Sequence, residues 1–176
     1  MSSLTKLQAL KCYSYSYWII EIPIKRFFFF PTTLKRLTLA GEFCFHWKYI
    51  STLVMLPNHE ELKLKGHAVV GQAWRLSDEE QFQSLKQLLS NELDFRMWEA
   101  SSDSFPNLKR LALKNCRYLK EISTDFAEIC TLESIELHDC SSPAEHSARK
   151  IKNEQEEMGN NSVNVYIHRT RKIEFY

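Results

Sequence analysis

This sequence predicts an α/β fold: a solenoid of leucine-rich repeats with short parallel strands on a concave face, loops and short helices on the convex face, and a C-terminal helix-strand cap. Three observations predict it. An aliphatic ladder returns about every two dozen residues. Its clearest copies, FPNLKRLALKNCRYL (residues 105–119) and ICTLESIELHDC (residues 129–140), superpose position by position: Leu108, Leu111, Leu113 and Cys116 fall on Leu132, Ile135, Leu137 and Cys140. That is the LxxLxLxxC/N pattern of this repeat class. Finally, the chain changes character after Cys140, where a helix pattern and then a strand pattern follow.

The ladder continues backwards with decay. Leu34, Leu37 and Leu39 form one rung, and Leu62 and Leu64 the next, with His59 in a leucine slot. Leu85 and Leu88 form another, completed by Leu93 and Phe95, and Leu4, Leu7 and Leu10 form a rung at the start. With the second leucine of each rung as marker, the positions are 7, 37, 62, 88, 111 and 135, so the steps are 30, 25, 26, 23 and 24. All but the first lie in the range of roughly 20–29 residues typical of the class. The long first step is assigned to an aromatic-rich insertion over residues 13–33, ended by Pro31.

Side chains alternate along a strand, so Leu111 and Leu113 enter the core while Arg110, Ala112 and Lys114 face the other way. The Cys or Asn position then turns the chain out of the strand, the thiol mainly filling space. Roughly four aliphatic side chains per rung at about 1.5–3 kcal/mol each give on the order of 6–12 kcal/mol before entropy. Conformational entropy removes most of that, so each repeat depends on its neighbours.

Between the strands, LSDEEQFQSLKQLL (residues 76–89) reads as a helix start, with Ser77 as N-cap and Glu80 completing a capping box. TDFAEI (residues 124–129) reads as one helical or 3₁₀ turn. In the tail, Ser142 before Pro143, with Glu145 at the third helical position, starts a helix. Ala144, Ala148, Ile151 and Met158 share its apolar stripe with Gln155, Glu145 pairs with Arg149 and Lys150 with Glu154, and Gly159-Asn160 ends it. Val163, Val165 and Ile167 alternate with polar residues as a strand centred on residues 164–168. The division is therefore 1–33 (truncated first repeat and insertion), 34–140 (regular repeats) and 141–176 (cap).

A 176-residue chain with 44% hydrophobic and 26% charged residues has the composition of one soluble domain. A net charge of +1 supplies no general attraction to nucleic acid or anionic membrane. Five cysteines without a CxxC pair read as reduced structural thiols of a cytoplasmic protein. No charged-then-apolar signal peptide follows Met1, and the Asn160-Asn161-Ser162 acceptor for glycosylation stands alone. The most apolar stretch, residues 17–30, is too short and too often interrupted to span a bilayer. Its four phenylalanines at 27–30 pack into the insertion, or else make a patch for peripheral membrane association.

Catalytic chemistry finds no support. Gly66 and Gly71 have phosphate-loop spacing, but Gln72 and Ala73 follow where Lys and Ser/Thr are needed. Cys44 and His46 are neighbours without a second Cys/His pair at zinc-ligand spacing. His59 reads as a structural histidine, and Glu79-Glu80 and Glu156-Glu157 as solvated helix faces. The expectation is a non-enzyme without cofactor or metal.

The outward strand positions are the functional candidates. They read Arg36, Thr38, Ala40; Glu61, Lys63, Lys65; Gln87, Leu89, Asn91; Arg110, Ala112, Lys114; and Ser134, Glu136, His138. Stacked, the third column is mildly basic. A concave repeat surface is the usual docking face, and Arg36, Lys63, Lys65, Arg110, Lys114, Glu136 and His138 are the candidate protein-binding residues.

Specific stretches also resemble a family. FPTTLKRLTL, LPNHEELKLKG, the piece around Gly71 to Trp74, the run from Trp98 to Pro106, CRYLKEI, ELHDCS and above all SARKIKNEQEEMGN resemble the C-terminal repeats of plant intracellular NLR disease-resistance receptors, in particular late blight resistance proteins of solanaceous plants. The likeness runs from about Phe30 to His168. It implies pathogen recognition in innate immunity, with a protein partner: a pathogen effector, a host guardee or the receptor's own nucleotide-binding domain. The chain departs from that family in lacking a phosphate loop, a nucleotide-binding domain and an N-terminal coiled coil, in Ser123 where the family tends to have proline, and in His59. It is therefore expected to be a truncated or partial receptor. The alternative is a leucine-rich-repeat substrate adapter of a ubiquitin ligase or another interaction scaffold; the adapter needs an F-box-like helical segment that residues 1–33 do not supply.

Overall fold

A computed structural model describes residues 6–15, 30–159 and 163–170. In chain order the strands are β1 (Ala9–Ser14), β2 (Arg36–Gly41), β3 (Phe45–His46), β4 (Glu61–Lys65), β5 (Val69–Val70), β6 (Ala73–Arg75), β7 (Gln87–Asn91), β8 (Met97–Glu99), β9 (Arg110–Lys114), β10 (Ser134–His138) and β11 (Asn164–His168). Among the described residues two α-helices accompany them, α1 (Trp47–Ser51) and α2 (Ser142–Glu157). Seven strands form one parallel sheet in the order β1-β2-β4-β7-β9-β10-β11. Each strand of this sheet therefore pairs with the next sheet strand along the chain, while β3 pairs with β5 and β6 with β8.

The register follows the ladder. Leu37, Leu62, Leu88, Leu111 and Ile135 stand opposite one another on adjacent strands, and all are at most 1% exposed. The next inward row is Leu39, Leu64, Ser90, Leu113 and Leu137, with a buried serine where the pattern calls for leucine.

The first rung is corrected by one leucine. Leu10, not Leu7, lies opposite Leu37, and Cys12 takes the place of the next leucine opposite Leu39. The first step is therefore 27 residues, an ordinary repeat length. Tyr13 and Ser14, assigned to an insertion from the sequence, belong to β1. The phenylalanines at 27–29 and the acceptor triplet at 160–162 lie outside the described residues; Phe30 is partly buried against the core.

The turn out of each strand is made one residue before the Cys position, not at it. Gly41, Gly66, Glu92, Asn115 and Asp139 occupy equivalent places and all have positive φ, between 49° and 95°. This left-handed conformation favours Gly and tolerates Asn and Asp, whereas Glu92 adopts it at a cost. Strand-to-strand bonding holds it: the amides of Glu92, Asn115 and Asp139 donate to the carbonyls of Lys114, His138 and His168. The thiols do more than fill space, since Cys140 donates to the Leu113 carbonyl at 3.2 Å and Cys116 to that of Lys114 at 3.5 Å.

Behind the sheet runs a second column that the leucine pattern did not reveal. Trp47 stacks on Trp74 (centroids 4.6 Å apart), and Trp74 on Trp98 (5.4 Å, planes parallel). Phe126 meets Trp98 edge-on at 5.2 Å. The paired strands β6-β8 carry Trp74 and Trp98, α1 carries Trp47, and the paired strands β3-β5 lie beside them without contributing a ring to this stack. Trp47 Nε1 donates to the Gly71 carbonyl, whereas the indole N–H groups of Trp74 and Trp98 are buried without a partner among the described residues.

The segment at 76–89 does not form a helix. Its backbone bonds sideways instead: Phe82 N–H donates to the Ser104 carbonyl and Lys86 N–H to that of Glu60. The capping-box contact survives as an isolated turn, with Glu80 accepting from both the amide and the hydroxyl of Ser77. Residues 124–128 form the expected 3₁₀ turn, with the Ser123 hydroxyl accepting from the Asp125 amide.

α2 starts one residue earlier than the sequence suggested: Ser141 is the N-cap, accepting from the Ala144 amide, and Pro143 is in the second helical position. Ala144, Ala148, Ile151 and Gln155 are buried as expected, but Met158 is 55% exposed, because it is the C-cap and lies past the packed stripe. Gln155 donates to the Ile129 carbonyl and accepts from the Val163 amide, which ties helix, last turn and final strand together. Glu145 is 1% exposed and accepts from Arg169, with Arg149 3.9 Å away. Lys150 pairs with Glu154 at 3.6 Å. No helix among the described residues is long and apolar enough to cross a membrane.

Candidate protein-binding face

Alternation along the seven strands leaves three outward columns on the sheet. The register brings the sequence-derived candidates together: Arg36 and Arg110 in the first column, Lys63 and Glu136 in the second, Lys65, Lys114 and His138 in the third. The third column reads Ala40, Lys65, Asn91, Lys114, His138 and, on β11, His168.

Three outward positions are not available to a partner. Thr38, Ala40 and Ser134 are at most 9% exposed. Each is a small side chain flanked on both strands by larger ones: Lys11 and Lys63, Tyr13 and Lys65, Arg110 and Asn164. The neighbours' stems cover it.

The charged candidates divide into paired and unpaired groups. Arg110 reaches Glu136 at 3.0 Å and Lys63 reaches Glu61 at 3.0 Å. Arg36, Lys65 and Lys114 make no ion pair among the described residues. Between the strands a depression of about 170 Å³ is floored by Leu89 and Ala112 and walled by Lys63, Arg110, Lys114 and Glu136.

Sequence reasoning missed His168. Its ring stacks on His138 with centroids 4.4 Å apart and planes 17° apart. Burial, then the charges of Lys114 and His168, hold the His138 imidazole below its ordinary pKa, against the opposite pull of Glu136 and Asp139. The readable signal is the alternation of Val163, Val165 and Ile167, which, continued into the sheet register, sets His168 opposite His138. Asp139, beside this pair, accepts from the hydroxyl and the amide of Thr170, which lowers its carboxyl pKa.

His59 lies away from this face, 2% exposed, with Nε2 3.0 Å from the Glu61 carbonyl. Burial pushes its pKa down to about 4. It is a structural residue in a leucine slot. No group of three or more His, Cys, Asp or Glu placed to hold a metal occurs among the described residues.

No family model matches the chain. Similarity to full-length proteins is clear. One late blight resistance protein homologue of Solanum demissum is 36% identical over 127 residues, 70% of this chain and 10% of its own length. A second from the same plant is 32% identical over 172 residues, covering 96% of this chain and 12% of the relative. A third is 31% identical over 158 residues, 89% of this chain and 20% of the relative. The chain thus spans between a tenth and a fifth of the length of the curated relatives it matches.

Proposed function

We propose, from the chain's relationship to the late blight resistance protein homologues, that it is a leucine-rich-repeat solenoid that recognises a protein partner in plant disease resistance. The NLR-type relatives are named for resistance, so a defence role is the reading their names support. The partner docks on the concave sheet through Arg36, Lys63, Lys65, Arg110, Lys114, Glu136 and His138. The protein acts in the cytoplasm, by binding rather than by catalysis, without cofactor.

The observation that carries this reading is the register. Three candidate cations without ion pairs among the described residues, two paired ones and an apolar-floored depression share a single open sheet surface. An interface needs a few anchors around a desolvated centre, and this surface offers both. The test is to block the floor. Leu89→Arg with Ala112→Arg should abolish capture of the partner from leaf extract, while Met55→Arg, at an exposed site outside the main sheet, leaves it intact. Capture of the same proteins by both variants would refute the concave-face reading.

A further inference from the structure

We propose that the occupant of this face is an acidic segment of the partner protein, held by Lys65 and Lys114 and, at the C-terminal end of the same column, by the stacked His138 and His168. The inference rests on the concave-face reading and deepens it. Its basis is charge complementarity. The outward positions of the seven strands carry six cations, Lys11, Arg36, Lys63, Lys65, Arg110 and Lys114, against two anions, Glu61 and Glu136. That leaves +4 on one face of a chain whose net charge is +1. The two anions are already paired, to Lys63 and Arg110.

Two of the unpaired cations are also aligned. Lys65 and Lys114 stand in one column with only Asn91 between them. Two rungs are about 9–10 Å. His138 follows at the next rung and His168 at the one after. The His138 ring, held face to face with His168 and beside the Lys114 ammonium, sits below its ordinary pKa partly for that reason. The groups facing His138 are Lys114 on β9, Glu136 and Asp139 on its own strand and turn, and His168 on β11. A line of carboxylates laid along the column would neutralise the lysines and favour protonation of the His138 ring.

The experiment uses the full chain and decaglutamate as probe, in about 150 mM salt, with fluorescence anisotropy as readout. Binding should weaken on the order of tenfold in Lys65→Ala with Lys114→Ala. It should persist in Lys86→Ala with Lys109→Ala, which removes the same charge from two lysines already paired to Glu60 and Glu133. Lowering the pH from 8 to 6 should tighten binding, and His138→Gln with His168→Gln should remove that gain. Equal weakening in both lysine pairs would reduce the effect to net charge and overturn the proposal, as would no binding of decaglutamate. Tighter Lys65- and Lys114-dependent binding of a ten-nucleotide single-stranded RNA would overturn it in favour of nucleic acid. If decaglutamate fails while Leu89→Arg with Ala112→Arg still displaces the partner, the acidic occupant is wrong and the concave face stands. Partner capture indifferent to those arginines removes the face itself.

Discussion

The imidazole of His59 closes on the carbonyl of Glu61, 3.0 Å from Nε2, while its Nδ1 is buried without a hydrogen-bond partner among the described residues. The ring fills a slot that other rungs fill with leucine, so the fold must keep it neutral. Its pKa is about 4 in the folded chain against an ordinary 6.5. The unfolded chain therefore binds the proton more tightly. Stability is fully present above about pH 6.5 and falls as the pH drops towards 4, by up to about 3 kcal/mol. His59→Leu should flatten this dependence and leave stability at pH 7 equal or higher. Urea midpoints at pH 7, 5.5 and 4 measure it; parallel slopes for the two proteins would remove His59 as the cause.

Gly41 is irreplaceable for a different reason. A β-carbon there would lie 2.0 Å from the Ser14 carbonyl oxygen, and its φ is +95°. Gly41→Ala should cost at least about 2–3 kcal/mol and loosen β1 from β2. Gly66 has the same hand of backbone, at +62°, but its nearest neighbour would be 3.6 Å away. Gly66→Ala should cost only about 1 kcal/mol, and Gly66→Asn less. Hydrogen exchange of the β1 amides separates the two sites: it should accelerate in the first variant alone.

Trp74 lies in the middle of the aromatic column, in ring contact with Trp47, Trp98, Phe82 and Phe105. Trp74→Ala should destabilise the protein by about 3–5 kcal/mol. Trp74→Phe should cost less, because it keeps a ring in the stack and removes an unpartnered indole N–H. Chemical denaturation measures both, and similar losses would show that a smaller ring recovers nothing of what the indole contributes.

The tail is anchored by Glu145 and Arg169. The carboxylate is buried at 1% exposure, and its principal partner comes from beyond β11. Arg169→Ala should lower the thermal midpoint, since it strands a buried charge with only Arg149 at 3.9 Å. Adding Glu145→Gln should recover part of the loss. A double variant less stable than the single one would show that the arginine acts by packing.

Much of the sheet was legible because the leucines of a strand repeat at period two and those of successive strands at a near-constant step. Leu37, Leu62, Leu88, Leu111 and Ile135 were placed in that way, and the outward candidates followed from them. The first rung misled because Leu4, Leu7 and Leu10 are evenly spaced, and Cys12 hides the leucine slot that would have set the register. The left-handed column stayed hidden because Glu92 and Asp139 carry no glycine signature. The capping-box pattern at Ser77 predicted a helix that sideways backbone bonding overrides. The size of the neighbours on adjacent strands decides what is accessible, and a single rung does not show it: larger flanking side chains cover Thr38, Ala40 and Ser134, and only the paired strands bring His168 against His138.

Because each strand of the main sheet borders only the preceding and the following strand of that sheet, taken in chain order, the molecule has a direction along which it can be undone. Traction on the C-terminal end would meet β11 first, then β10, then β9. The expected force trace is a series of peaks separated by about 8 nm, the extended length of some two dozen residues. Mechanical load would be carried one link at a time.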